Sequence, residues 1–174
     1  MVEQKRRTLL IAASGAISVV IAGVVGVPVI RAFLDPLWRR SIVGTDGATA
    51  YGNISELPIG KPVERGVVGV IRDAWDRSDP KSIGALWLVR RDAKKVDAYS
   101  NVCPHAACPV GYDEKRSVFA CPCHTSDFAL ADGHVLGGPS PRGLDSLPVE
   151  VKPDGTVFVT YQRFIAGTSA KREV

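Results

Sequence analysis

The stretch Cys103-Pro104-His105-Ala106-Ala107-Cys108, answered by Cys121-Pro122-Cys123-His124, constrains this chain more than any other. The two boxes hold all four of its cysteines and two of its three histidines. Each offers one thiolate and one imidazole at short spacing, Cys103/His105 and Cys121/His124, and each carries a further cysteine, Cys108 and Cys123. Soft thiolates with borderline imidazoles select zinc, copper or an iron–sulfur cluster over hard cations such as magnesium or calcium. Two cysteines and two histidines satisfy a structural zinc site, but zinc gives no reason for one more cysteine in each loop. The same donor set serves a [2Fe–2S] centre in which two histidines replace two cysteines on one iron. Either way, the fold must bring two separate loops to one point.

The boxes read C-x-H-x-x-C and C-x-C-H in full, and on them the chain resembles the Rieske proteins of quinol:cytochrome c reductases, the cytochrome bc complexes. The resemblance implies one [2Fe–2S] cluster per chain with Cys103, His105, Cys121 and His124 as ligands. It also implies a Cys108–Cys123 disulfide tying the two loops together over the metal, a pair that Rieske ferredoxins and ring-hydroxylating dioxygenases generally lack. Gly137-Gly138-Pro139-Ser140-Pro141-Arg142 is by composition a surface turn. Its position resembles the proline loop that covers the cluster in this family, which makes Gly138, Pro139 and Pro141 a third wall of the site.

Family members of high potential carry a serine two residues after the second histidine and a tyrosine four after it, both hydroxyls aimed at cluster sulfur or its cysteine ligand. Here the positions are Ser126 and Phe128. One hydroxyl is kept and one is missing, which implies a lower potential and menaquinol rather than ubiquinol. Two further departures are Ala106, where relatives often have a shielding leucine, and Thr125, where many have glycine. His134 has no spaced partner and reads as a surface residue.

Charge is distributed unevenly. Residues 1–40 carry six of the 22 basic and two of the 18 acidic side chains, leaving 16 of each beyond them, so the net +4 belongs to the N-terminal segment. That excludes nucleic-acid binding as the reading, since a basic surface would then lie on the folded domain. From Thr8 to Ile30 no residue is charged. At about 1.5 Å per residue the run spans a hydrocarbon core of about 30 Å, and it exceeds the roughly 7–15 residues of a cleaved signal's apolar region. Residues 1–7 are then a basic cytoplasmic end, and 8–30 a single transmembrane helix in a bacterial inner membrane. Basic residues flank both ends, so the positive-inside count barely discriminates. Lys5-Arg6-Arg7-Thr8-Leu9-Leu10 resembles a twin-arginine export signal, and a disulfide persists outside the cytosol. Together they put the C-terminal domain on the outer, periplasmic face.

Residues 31–50 read as a hinge or linker, with Asp35-Pro36 ending the helical run and Gly44 and Gly47 free to absorb rotation. Pro28 kinks or ends the helix. From Tyr51 the pattern is short strands: Val63–Ile71, Ala85–Val89, Val96–Val102, Ser117–Ala120, a hairpin turning at Ala131-Asp132-Gly133, and another around Pro153-Asp154-Gly155. The expectation is an all-β soluble domain over 51–166, an antiparallel Rieske-type sandwich with a cluster-binding subdomain at about 101–143, on one N-terminal transmembrane helix. Residues 167–174 read as a loose polar tail. Asn53-Ile54-Ser55-Glu56-Leu57 and Tyr161-Gln162-Arg163-Phe164 carry weaker family likeness. Trp38, Trp75 and Trp87 read as interface or core.

The resemblance implies a subunit that is an enzyme only within its complex. An imidazole of His124 or His105 accepts a hydrogen bond and a proton from a quinol hydroxyl, because metal charge changes how firmly the ring holds its second proton. One electron passes to a c-type haem and the other to a b-type haem. The implied partners are a cytochrome b subunit, a c-type cytochrome subunit, quinol and the lipid bilayer, in a dimeric complex. The alternative is the small Rieske subunit of an arsenite-oxidase-like periplasmic molybdoenzyme.

Overall fold

The computed structural model describes residues 2–38, 42–45, 47–72 and 76–174. Arg39, Arg40, Asp46, Trp75 and the side chain of Trp38 lie outside the described residues. The chain forms two units, a helical one at the N-terminus and a β domain from Ile42 onward.

Helix α1 runs over Val2–Trp38. Within it Glu3–Asp35 is long and apolar enough to cross a membrane. Its large side chains, among them Leu9, Val19, Val24 and Phe33, are exposed, so no protein core accounts for their apolarity. The helix neither ends at Pro28 nor stops at Asp35-Pro36, which corrects the expected boundary. A proline removes one backbone donor from the ladder, and an apolar helix of this length keeps enough of the remaining bonds to continue. The expected linker shrinks accordingly: residues 31–38 are helical, and Gly44 closes strand β1 (Ile42–Gly44) opposite Val70 rather than serving as a pivot. Gly47 does turn, at φ +91°.

The β domain is built from three antiparallel sheets. Strands β2 (Ala48–Asn53), β3 (Pro62–Arg72), β4 (Lys81–Arg90) and β5 (Val96–Ser100) are followed by β6 (Gly111–Asp113), β7 (Val118–Cys121), β8 (Ser126–Ala129) and β9 (Val135–Gly137). Strands β10 (Ser146–Leu147), β11 (Val149–Val151) and β12 (Thr156–Thr160) complete the set. The sheet orders are β1-β3-β4-β5-β10, β11-β12-β2 and β6-β7-β8-β9.

Strand β4 shows why the sequence reads as it does. Leu86-Trp87-Leu88-Val89 is buried at every position, because successive side chains point to opposite faces and each face meets a different core. Leu86 and Leu88 join Val67, Ala98, Val157 and Val159 in the core shared with β12. Trp87 and Val89 join Tyr99, Val110, Phe119 and Phe128 beneath the third sheet. At the far end, Asn53 Oδ1 accepts the Ser55 N–H and its Nδ2 donates to the Asp154 carbonyl, pinning the 3-10 turn Ile54–Glu56 against the β11–β12 hairpin.

The C-terminal segment is not loose. Ile165 N–H donates to the Arg172 carbonyl and Val174 N–H to that of Arg163, closing residues 163–174 on themselves. Gly167 N–H donates to the Pro104 carbonyl, inside the first cysteine box.

Candidate metal centre

Two loops meet at one end of the third sheet. The first leaves β5 and closes tightly: Cys103 N–H donates to the Cys108 carbonyl, Ala107 N–H to that of Cys103, and Val110 N–H to that of Asn101. Ala107 sits at φ +60° to make this turn. Trp87 Nε1 donates to the Val110 carbonyl at 2.9 Å, so the loop's exit is fixed to β4. The second loop joins β7 to β8, whose pairing sets Cys121 opposite Ser126. Here Thr125 turns at φ +58°, a left-handed conformation that costs a β-branched residue of the order of 1 kcal/mol or more.

These turns sort the cysteines into two kinds. Cys108 and Cys123 form a disulfide linking the loops. Cys103 and Cys121 are free and buried, 1% and 3% exposed. Cys121 Sγ lies within 4.8 Å of both disulfide sulfurs, but those are spent on each other and offer no thiolate. Burial pushes the Cys103 thiol up from its ordinary value, while the N–H groups of His105 and Ala106 and the neighbouring Cys121 act on it as well. A bound cation reverses that balance and holds such sulfurs as thiolates. The imidazoles of His105 and His124 stand edge to face, their centroids 4.8 Å apart and their planes at 89°. His105 is half-buried and His124 exposed. Two sulfurs inside and two nitrogens at the surface, one of each per loop, is a donor set that can hold a [2Fe–2S] cluster with histidines on one iron.

The third wall is the loop after β9. Gly138, at φ +88°, lies so close to the second box that a Cβ there would meet Ser126 Cα at 2.5 Å and the Thr125 carbonyl at 2.6 Å. Ser140 N–H donates to Ser126 Oγ at 3.2 Å, leaving that fully buried hydroxyl its hydrogen to give. Pro139 and Pro141 are exposed, as is Ala106 on the first loop. Phe128 is fully buried in the same cluster as both free cysteines. His134 is exposed and pairs with Asp132 at 2.6 Å, away from the four donors.

Sequence reasoning passed over Arg142 and Asp145. Arg142 Nε and Nη2 reach the two carboxylate oxygens of Asp145 at 2.9 and 2.7 Å, with the side chains only 10% and 5% exposed. An i, i+3 pair beside a proline loop was the available signal; burial of both partners was not legible.

Comparison with known proteins decides between metals that this donor set alone admits. The family model for the Rieske [2Fe-2S] domain matches residues 49–148. A cytochrome b6-f complex iron-sulfur subunit from a Synechococcus strain is 31% identical over 165 residues, covering 90% of this chain and 88% of that protein. The chain belongs to the Rieske [2Fe–2S] family. Its cofactor is accordingly the Rieske cluster, one electron carrier rather than a structural zinc. The menaquinol:cytochrome c reductase iron-sulfur subunit of Geobacillus thermodenitrificans is 29% identical over 136 residues, covering 76% of each chain. Among solved structures, the cyanobacterial plasma membrane Rieske protein of Synechocystis aligns with a TM-score of 0.47 and 23% identity, over 65% of this chain and 99% of that one.

Proposed function

We propose that this Rieske chain is the membrane-anchored iron–sulfur subunit of a quinol:cytochrome c reductase, oxidising menaquinol and passing the electron to a c-type haem. The observation that carries the reading is the reach of the match to the b6-f subunit. At 90% of the chain it extends beyond the β domain into the anchoring helix. A carrier serving soluble oxygenases has no use for such a helix, whereas a quinol dissolved in the bilayer requires its oxidant to stay there.

In this reading Cys103, His105, Cys121 and His124 hold the cluster, and the Cys108–Cys123 disulfide keeps the two loops closed over it. The cluster, when bound, accepts one electron at a time. Exposed His124, and His105 beside it, present an imidazole nitrogen left free by ligation to a quinol hydroxyl, accept its hydrogen bond and take up its proton. Small Ala106 and the exposed Pro139 and Pro141 leave that approach open, while the buried Ser126 hydroxyl is within the cover that shields the sulfurs. The partners are a cytochrome b subunit and a c-type cytochrome in a dimeric complex, with the β domain on the outer membrane face. Menaquinol is favoured because Phe128 lacks the second hydroxyl that stabilises added charge, and because the Geobacillus relative is named for that quinol.

The test is electron paramagnetic resonance of the reduced, membrane-solubilised chain during a potentiometric titration. The expected result is a rhombic Rieske signal with a midpoint in the lower half of the range of about −150 to +300 mV. A midpoint near the upper limit overturns menaquinol; a silent protein containing zinc overturns the redox function altogether.

A further inference from the structure

The proline loop lies against Thr125 and Ser126 through Gly138 and Ser140. Just beyond the second box, the Ser140 N–H donates to Ser126 Oγ. Ser140 Oγ in turn donates to the Arg142 carbonyl at 2.8 Å, which moves the question of anchorage to Arg142. The guanidinium is fully engaged. It grips both oxygens of Asp145, and donates to the main-chain carbonyls of Ile165 at 3.0 Å and Thr168. Asp145 is itself fixed, since its carbonyl accepts the Ser100 N–H at the end of β5.

The two carbonyls belong to the C-terminal segment, and that segment is fastened independently. Gly167 N–H donates to the Pro104 carbonyl at 2.7 Å. Lys171 Nζ donates to the Ser146 carbonyl at 2.6 Å and lies 4.5 Å over the Phe164 ring. A closed ring of contacts results. It runs from Ser126, two residues past the second box, through Ser140 and Arg142 to the C-terminal segment, and returns through Gly167 to Pro104 in the first.

We propose that Arg142 is a positioning residue for the cluster, fastening the proline loop to a strap formed by residues 163–174, which holds the first cysteine box through Gly167, between the two carbonyls that Arg142 grips. The proposal rests on the cluster reading given above. Its chemical consequence follows from the Ser126 hydroxyl. Hydrogen bonds to the sulfurs favour the reduced cluster and raise its potential. A hydroxyl whose acceptor side is held by Ser140 has its hydrogen aimed; one released by a slack loop does not. Lysine cannot replace arginine here, because a point-charge ammonium lacks the planar fork that satisfies a carboxylate and two carbonyls together.

The experiment compares Arg142→Ala, Arg142→Lys and, as a control on the opposite hairpin, Lys152→Ala in the full chain carrying its cluster. Two quantities are read: the midpoint potential, and deuterium uptake of the peptide spanning 163–174. Both Arg142 variants are expected to lower the midpoint and accelerate uptake, with Lys152→Ala matching the parent. Wild-type potential and uptake in Arg142→Lys would mean that charge alone matters and would overturn the positioning role. Unchanged uptake in both variants would dissolve the strap. Should Arg142→Ala fail to retain its cluster, the lysine variant decides. A parent chain without a Rieske signal refutes the cluster reading instead, and uptake in the two variants still reads the strap by itself.

Discussion

Ser126 and Phe128 stand two residues apart on β8, both fully buried on the side that faces the free cysteines. They differ in one property that tunes a redox centre, a hydroxyl hydrogen. A hydrogen bond to a group gaining negative charge favours the reduced state. Phe128→Tyr is therefore expected to raise the midpoint by about 60 mV, the one-electron equivalent of about 1.4 kcal/mol, a normal contribution for a bond to a charged partner. Redox titration of the variant checks it, and an unchanged or lower midpoint means that the ring does not present its para position to the site. At this scale the two boxes and the Cys108–Cys123 pair were legible, because spacing within each box is local. The roles of Arg142 and Gly167 were not. Their partners lie 26 and 63 positions away, Arg142 with Thr168 and Gly167 with Pro104, and no local pattern encodes a contact of that range.

The elements that present the site are short, and the two loops depend on a covalent clasp more than on extensive pairing. Strands β6 to β9 have three or four residues each, near the lower limit for strands. The Cys108–Cys123 bond closes a separation of 15 residues, for which loop-closure entropy gives about 3 kcal/mol. Replacing both cysteines by serine is expected to lower the unfolding free energy of the β domain by about that amount, read by urea denaturation, and to speed loss of visible cluster absorbance. A cost well below 1 kcal/mol would mean that core packing under Phe119 and Trp87 holds the loops unaided. Hairpins were legible where turn residues announced them: Asp132-Gly133 and Asp154-Gly155 both turn with glycine at positive φ. The connector and the tail were misread for one reason. Polar, glycine-containing stretches look unstructured, but β1 is held by pairing with β3, and residues 163–174 by carbonyls that accept from Arg142.

At the scale of the molecule, a helix fit to cross a membrane is joined to a β domain that assembles around an inorganic cofactor. With the β domain on the outer face, as proposed above, the order of folding, cluster insertion and translocation constrains how the domain gets there. A chain threaded unfolded would have to acquire its cluster outside the cytosol, whereas a twin-arginine route carries the folded, loaded domain across. The pair Arg6-Arg7 is the residue-level handle on that choice. Replacing both by lysine keeps the charge of the segment before the apolar run and leaves the helix unaltered, so insertion governed by positive charge is unaffected. Export that reads the arginines themselves is not. The double lysine variant is expected to remain in the cell with its β domain shielded from protease added to spheroplasts, while the parent domain is cut. Equal digestion of both would assign the charge to membrane topology alone, and would require the cluster to be inserted after translocation.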